Sequence, residues 1–347
     1  MKRLSTLSLI AVLCAVLFTG CKKTSIVPQA SGKPYEVMVV IDHDLWERPA
    51  GRAIYDVLDT DVPGLPQSEP SFHISQVAPK DFNYTMKLFR NIIEVHIDPK
   101  QFSTTRIKFS RNIYAHDQIY MTINSPSEDD LVRFMATHTR DVLDVFNNSE
   151  INRLCVNLKQ KYSLVTYKKT EELFKCKFYA PQELKKSKTG NHFLWTSNDE
   201  AAGMVNICVY SYPYDGPSSF NKKYIMHKRD SIMALNIPGS EPDMYMQTDT
   251  LHTDVKPIMV HGRYAYEARG LWYMRNEAMG GPFVSHSRVD EKNNRVITVE
   301  GFVYAPEKMK RGLMRRLEGS LYTLLLPDEE AEEVPEESAK VPTEENK

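Results

Sequence analysis

An uncharged run that ends near a cysteine restricts the fold of this chain more than any other feature. Met1-Lys2-Arg3 is positively charged, and the fifteen residues from Leu4 to Phe18 carry no charge. A run of that length is typical of the apolar core of a signal peptide, whereas a membrane-spanning helix needs about 20 residues. The sequence therefore predicts a leader over residues 1–20 that is removed, followed by a globular body.

The residues around Cys21 predict a lipid anchor. Leu17-Phe18-Thr19-Gly20 precedes Cys21 and resembles a bacterial lipobox, with Phe18 where such motifs more often carry Leu. Small Thr19 and Gly20 let the chain enter a peptidase cleft, and the Cys21 thiol then accepts a diacylglycerol and further chains such as palmitate. Each buried methylene contributes about 0.8 kcal/mol, so several chains anchor a protein firmly. The alternative is an ordinary cleaved signal with an incidental cysteine.

Polar segments flank the body on both sides. Residues 22–34 contain Ser, Gly and two prolines and are predicted to form, with Cys21, a flexible tether (21–34). Extended, such a tether reaches about 40 Å at about 3.3 Å per residue. Residues 328–347 hold nine acidic and two basic side chains and are predicted to form a disordered acidic tail.

The charge balance argues against a nucleic-acid partner. The net charge is -1, from 44 Lys and Arg against 45 Asp and Glu, and the acidic tail hides only a mild positive charge in the body. Nucleic-acid binding needs clustered Lys and Arg and a high isoelectric point. With 26% charged and 41% hydrophobic residues, the composition is that of an ordinary globular protein.

The first half of the body, residues 35–174, is predicted to mix strands and helices. Tyr35–Ile41 is an apolar run typical of a strand buried on both faces. Ser127 precedes an acidic turn and caps a helix. Further strands are predicted at 72–77, 91–97, 105–113 and 117–124, with helices at 46–60, 79–89, 127–146 and from 149 into the 170s.

The second half, residues 175–327, repeats that mixture. Residues 290–294 form a turn between two predicted strands, which indicates a hairpin. Strands are predicted at 175–179, 192–196, 204–212, 282–288 and 295–303, extended segments at 255–268 and 270–275, and helices at 218–234 and 306–324. We therefore predict an α+β protein with mostly antiparallel sheets, covered by helices on one face, in two possibly similar halves.

Three cysteines remain in the body, at positions 155, 176 and 208. At most one pair of Cys155, Cys176 and Cys208 can form an intramolecular disulfide, because their number is odd. Each lies in an apolar pattern, which favours small buried side chains over redox chemistry.

Common catalytic motifs are absent from the sequence. It contains no P-loop, HExxH or GxSxG pattern, and no cofactor or metal is predicted. Asp42-His43-Asp44 follows the first strand, so a hydrolase or transferase with a carboxylate site near Asp42 and Asp44 is the alternative function. The simpler interpretation is that Asp44 caps the helix after it and Asp42 ends the strand.

The densest local anomaly is a glycine- and aromatic-rich stretch. Two consecutive glycines before Pro282 suggest an unusual backbone, since glycine adopts positive φ freely. An arginine beside large aromatic residues is typical of a partner-binding anchor, and the alternative is a sheet corner packed over by core aromatics. The candidate binding patch comprises Arg269, Trp272, Gly280, Gly281, Phe283 and, from the first half, Trp46.

Several of these segments together resemble one protein family. The lipobox, the Tyr35–Ile41 strand, Leu65-Pro66-Gln67 with Glu69-Pro70, Arg90-Asn91-Ile92, Arg269-Gly270-Leu271-Trp272 and Met279-Gly280-Gly281-Pro282-Phe283 are the segments concerned. The chain is similar over 35–326 to an uncharacterised family of Bacteroides-type lipoproteins, domain of unknown function 4837. The loop around Pro66 is expected to be stiff, exposed and structural.

The resemblance implies a cell-envelope address and no particular activity. Lipoproteins exported to the surface of such bacteria tend to be acidic just after the lipidated cysteine, and Lys22-Lys23-Thr24-Ser25 is not. We therefore expect an outer-membrane anchor at Cys21 that faces the periplasm. The expected function is binding of an envelope partner or ligand.

Overall fold

The computed structural model describes residues 27–200 and 203–329. The predicted leader, the lipidation site Cys21 and the last eighteen residues of the predicted acidic tail lie outside these residues. The described chain contains one five-stranded and one seven-stranded sheet. No helix in this part of the chain combines the length and the apolar character that crossing a bilayer requires.

The N-terminal sheet has the strand order β2-β1-β3-β5-β4. Its pairings β1–β2, β1–β3 and β3–β5 are parallel, and β4–β5 is an antiparallel hairpin. β1 is central and buried on both faces, as predicted, because its apolar side chains point alternately to each side. The strands are β1 (Glu36–Val40), β2 (His73–Val77), β3 (Asn91–Ile97), β4 (Arg106–Arg111) and β5 (Ile119–Ser125).

Five helices accompany this sheet. The predicted cap of α4 is confirmed, since the Ser127 hydroxyl accepts a hydrogen bond from the Asp130 amide at 3.2 Å. Helices α2, α4 and α5 pack on one face, while α3 and its neighbouring aromatic residues pack on the other. The helices are α1 (His43–Trp46), α2 (Pro49–Leu58), α3 (Tyr84–Lys87), α4 (Glu128–Thr137) and α5 (Thr139–Gln160).

The C-terminal sheet is antiparallel throughout, in the order β6-β7-β8-β12-β11-β10-β9. The predicted hairpin at 290–294 is confirmed, with a short 3₁₀ turn at Glu291–Asn293. The strands are β6 (Lys186–Gly190), β7 (Phe193–Ser197), β8 (Met204–Pro213), β9 (Met246–Val260), β10 (Arg263–Met274), β11 (Gly280–Asp290) and β12 (Arg295–Tyr304).

Helices cover this sheet on both faces, whereas the sequence suggested one. Along β8, Ile207 and Val209 point into one apolar core and Cys208 and Tyr210 into another. Apolar side chains on both sides of a strand require cover on both sides. Helices α6 (Leu164–Phe174) and α8 (Arg311–Leu321) lie on the first face, and α7 (Lys222–Asn236) lies on the second.

The predicted α+β class is confirmed. Seven of the ten strand pairings are antiparallel, and the three parallel pairings all belong to the N-terminal sheet. The chain therefore has two halves, as expected, but their sheets differ in strand number and in strand direction.

Some predicted elements are wrong in detail. The helix expected from residue 149 into the 170s is two helices, because Ser163 caps α6 by accepting the Thr166 amide at 3.2 Å. The strand expected at 175–179 is a single bridge between Lys177 and Leu325. The helix expected at 79–89 is a 3₁₀ turn followed by the four-residue α3.

The ends of the described chain are fixed to the body. Residues 28–31 form bridges to His116 and Phe89, so part of the predicted tether is held in place. At the other end, Asp328 pairs with Arg263 at 2.6 Å, and Glu329 pairs with Arg288.

Candidate functional site

A buried cluster of charges occupies the junction between the two halves. Arg269 on β10 lies between Glu267 of the same strand, at 3.2 Å, and Glu318 of α8. All three side chains are at least nine-tenths buried. Burial alone would raise the pKa of Glu318, but Arg269 and Arg315 outweigh it and hold this pKa below its usual range.

Three more side chains complete this junction cluster. Arg315 donates to Glu318 at 3.3 Å, and its guanidinium carbon lies 4.9 Å from the centre of the Tyr35 ring. Tyr35 directly precedes β1, so the cluster joins the two sheets. His286 is fully buried, with Nε2 3.6 Å from Glu267, and neither ring nitrogen has a hydrogen bond within the described chain.

A loop of the first half caps α8 of the second half. Both oxygens of Glu69 accept hydrogen bonds at the start of that helix, from the Lys310 amide at 2.7 Å and the Arg311 amide at 2.8 Å. The sequence suggested an exposed loop around Pro66. Glu69 of this loop is instead fully buried. Gly64 in this loop has φ +75°, and a Cβ there would lie 2.6 Å from Arg269 Cγ.

The predicted binding patch is not an exposed surface. Trp272 and Phe283 are 3% and 0% exposed and belong to the apolar core beneath α7. The Trp272 indole donates to the Val303 carbonyl at 3.3 Å. Arg269 belongs to the junction cluster, where it pairs with Glu267 and Glu318. Pairing of β10 with β11 brings Trp272, Gly280, Gly281 and Phe283 together. Trp46 is half-buried against the core of the N-terminal half, beside Tyr55, and does not join them.

The glycine pair within that patch has a different role from the one predicted. Gly280 and Gly281 lie in β11 opposite Tyr273 and Trp272, and neither has a positive φ. A Cβ at Gly281 would lie 2.0 Å from the Val303 carbonyl oxygen. Glycine is therefore needed there for close approach of two strands rather than for a turn.

Asp42 and Asp44 lie at the exposed end of β1. Helix α1 begins at His43, so Asp42 rather than Asp44 holds the cap position, and its side chain makes no capping bond. Among residues 27–200 and 203–329, no group of three or more His, Cys, Asp and Glu side chains could hold a metal ion. The three body cysteines are free, and Cys176 and Cys208 are buried.

An open groove lies between α7 and β9, with a volume of about 540 Å³. Asn221 caps α7 by accepting the Tyr224 amide at 2.9 Å, which places Lys222 and Lys223 in the exposed first turn. The lining residues are Lys222, Lys223, Met226, His227, Asp230 and Thr250. We call this site the α7 groove.

An irregularity in β9 forms the rim of the α7 groove. The pairing of β9 with β10 skips from Asp249 to Asp254, so the four residues between them bulge outward. Asp249 holds the bulge by accepting the Leu251 amide at 3.1 Å and by contacting His252 Nδ1 at 2.7 Å, which lowers the pKa of Asp249. As a result Leu251 is 89% exposed.

The α7 groove carries a net positive charge. Asp230 is already engaged, since it accepts the Thr248 amide at 2.8 Å and the Thr248 hydroxyl at 2.6 Å. Lys222 and Lys223 form no ion pair with any residue that the structure describes. Leu251 follows the lining residue Thr250 and is exposed on the rim, so the groove suits an acidic ligand that also has an apolar part.

Sequence reasoning missed this groove. Lys222-Lys223 lies in the predicted 218–234 helix, and such a pair on a helix is an ordinary solvated surface. The bulge that exposes Leu251 has one signal, Gly270, whose Cβ would lie 2.2 Å from Thr253 Oγ1. That signal is visible only once β9 and β10 are paired.

Comparison with protein families divides the chain at the end of α5. Residues 163–323 match the model of a domain of unknown function, DUF4837, and residues 30–159 match another, DUF8532. The predicted resemblance to family 4837 is thereby confirmed, for the second half rather than for 35–326. No curated protein matches the chain.

Proposed function

We propose that this chain is a lipid-anchored protein of the cell envelope that binds an acidic segment of an envelope partner and performs no catalysis. The anchor is Cys21, on the outer membrane and facing the periplasm. The observation that carries the binding proposal is the α7 groove, an open cavity with two unpaired lysines. The lipobox pattern before Cys21 supports the anchor.

The ligand chemistry follows from the walls of the groove. Lys222 and Lys223 are exposed and attract carboxylates through their positive charge. Leu251, next to the lining residue Thr250, offers exposed apolar surface at the rim of the groove. An acidic peptide with one or two apolar side chains matches both features, and a groove of about 540 Å³ admits a few residues of it.

Crosslinking in intact cells tests the binding proposal. A carbodiimide activates carboxylates and couples them to amines as amides, with the urea as leaving group. Followed by mass spectrometry, it is expected to join Lys222 or Lys223 to an Asp or Glu of an acidic segment in one recurrent envelope protein. The double variant Lys222→Ala/Lys223→Ala lacks the crosslinkable amines, so its binding is measured without crosslinker, and co-purification of that protein should be abolished. Lys292→Ala, at another exposed lysine, is the matched control and should leave it unchanged. Equal enrichment with both variants would remove the groove from the proposal.

Mass spectrometry of the N-terminal peptide tests the anchor separately. The mature chain should begin at Cys21 and carry acyl chains on it. Cys21→Ser should appear in the aqueous fraction or keep its leader. A mature wild-type chain with an unmodified thiol at Cys21 would refute the anchor and leave the groove untouched.

A further inference from the structure

The chain is fixed to the body very soon after the predicted lipidation site. The Ala30 amide donates to the His116 carbonyl at 3.0 Å, and the His116 amide donates to the Pro28 carbonyl at 2.8 Å. The Ser31 amide donates to the Leu88 carbonyl at 2.8 Å. Only five residues therefore separate Cys21 from Val27, and the six steps between them, fully extended, span about 20 Å.

Three exposed apolar side chains lie on elements that contact the segment 27–31. Tyr84 is 68% exposed, Ile113 46% and Val156 56%. Tyr84 lies on α3, just before the Leu88 carbonyl that binds Ser31. Ile113 lies in the β4–β5 turn, which also carries His116.

The third of these side chains reaches the same segment from a different helix. Val156, on α5, lines a small surface pocket together with Gln29 and Ala30. Three separate elements therefore present an exposed apolar side chain beside the point where the chain enters the body. We call Tyr84, Ile113 and Val156 the entry face.

We propose that the entry face rests on the bilayer that holds the acyl chains of Cys21. This inference depends on the proposed lipid anchor. A body of about 300 residues has a radius of gyration of about 19 Å, so its far side lies much further away than the tether reaches. The short tether keeps the entry face next to the membrane, where amphipathic tyrosines and apolar side chains are favoured.

The charges around the entry face are compatible with a bilayer that contains anionic lipid. Lys22 and Lys23 follow the anchor directly, and Arg111 is exposed beside the β4–β5 turn. Lys87 lies 5.5 Å from the centre of the Tyr114 ring. Of the nearby acids, Asp117 accepts a hydrogen bond from Gln29 at 2.6 Å, and Asp81 is exposed.

Hydroxyl-radical footprinting of the full mature chain, purified from cell membranes, tests this orientation. The chain is reconstituted in vesicles of phosphatidylethanolamine and phosphatidylglycerol, and oxidation of Tyr84 is compared with that of Tyr264. Tyr264 is the matched control, since it is 76% exposed and lies on the β9–β10 hairpin of the other half. Oxidation of Tyr84 relative to Tyr264 should fall by about threefold or more in vesicles.

Oxidation of the other two entry-face residues can be compared with that of two exposed leucines elsewhere. Ile113 and Val156 should lose oxidation in vesicles, whereas Leu235 and Leu251, which are 83% and 89% exposed, should not. Similar oxidation of Tyr84 and Tyr264 in vesicles would overturn the proposal. Protection of Tyr84 that persists in detergent micelles and grows with protein concentration would also overturn it, because a second copy would then cover the face.

The Cys21 peptide from the same samples separates the two proposals. An acylated Cys21 with an unprotected Tyr84 refutes the orientation and leaves the anchor standing. An unmodified Cys21 with a protected Tyr84 refutes the anchor and retains the entry face as a membrane-binding surface.

Discussion

The junction cluster and the α7 groove both concentrate charge in the C-terminal half, yet they differ in every physical respect. At the junction, Arg269 is 9% exposed and lies between two carboxylates. In the groove, Lys222 and Lys223 are exposed, Asp230 of the lining accepts hydrogen bonds from Thr248, and Asp249 at the rim contacts His252. The first arrangement is closed to solvent, and the second is open to it.

This difference separates structural charge from charge that is available to a ligand. Buried ions are tolerated only when partners replace the water they lose. At the junction the charged partners all belong to the C-terminal half, and the first half contributes the Tyr35 ring beside Arg315. Exposed lysines keep their hydrating water in the folded protein and need no carboxylate partner from the chain. They therefore remain able to bind an incoming carboxylate. The sequence predicted that Arg269, Trp272 and Phe283 bind a partner. All three are buried, so their role is structural.

The largest effect should come from Trp272→Ala. Removing a core indole and its hydrogen bond to Val303 is expected to lower the free energy of unfolding by about 3–5 kcal/mol. Urea unfolding followed by circular dichroism measures this loss. Tyr273→Ala is the control, because Tyr273 is 43% exposed and should change stability by less than about 1 kcal/mol. A stable Trp272→Ala protein would return this residue to the candidate binding surface.

Glu318→Gln should be the next most damaging change. It removes one carboxylate from between Arg269 and Arg315, and breaking a buried ion pair costs about 3–5 kcal/mol. We expect the lower end, because Glu267 still pairs with Arg269 and the amide retains one acceptor. Urea unfolding at pH 7 measures the loss, and a loss below about 1 kcal/mol would mean that the cluster contributes little to joining the halves.

The same variant tests how the contribution of the junction cluster to the free energy of unfolding depends on pH. The pKa values of Glu267 and Glu318 are lowered in the folded state, so their contribution is complete above the unfolded pKa of about 4.3. It is lost as the pH falls through the lowered folded values. The gap in unfolding free energy between wild type and Glu318→Gln should therefore narrow below about pH 4, and a constant gap would contradict this account.

Glu69→Ala tests the contact between the halves with a smaller expected effect. Its carboxylate accepts two amides at the start of α8, and leaving those donors unpaired should cost about 1–3 kcal/mol. Amide hydrogen exchange should show faster exchange at Lys310 and Arg311. Ser68→Ala, at the exposed neighbouring position, should alter neither quantity. Unchanged exchange in Glu69→Ala would mean that water replaces the cap without loss.

Much of the fold was predictable from local patterns. The apolar run at 35–41, the Ser127 cap and the turn at 290–294 each encode their structure within a few residues, and each prediction is confirmed. What failed depends on distant partners. The parallel direction of β1, β2 and β3 and the second helical layer on the C-terminal sheet are set by packing that no short window contains.

The candidate site was less predictable for the same reason. Arg269, Trp272 and Phe283 looked like an anchor because arginine beside aromatics is common at interfaces, but the same residue types fill a core once strands pair around them. Conversely, Leu251 became 89% exposed only through a bulge opposite Gly270. Strand register decides which of these positions are buried and which are exposed, and a short stretch of sequence does not reveal that register.

The smallest change in stability should come from the groove itself. Lys222→Ala/Lys223→Ala removes two solvated ammonium groups that have no ion-pair partner in the described chain, so the free energy of unfolding should move by less than about 0.5 kcal/mol. The same variant should nevertheless lose the crosslinked partner, which Lys292→Ala should retain. A stable protein that has lost binding would show that these lysines bind the partner and do not hold the fold together. A destabilised protein would show that the groove, like the junction, holds the fold together.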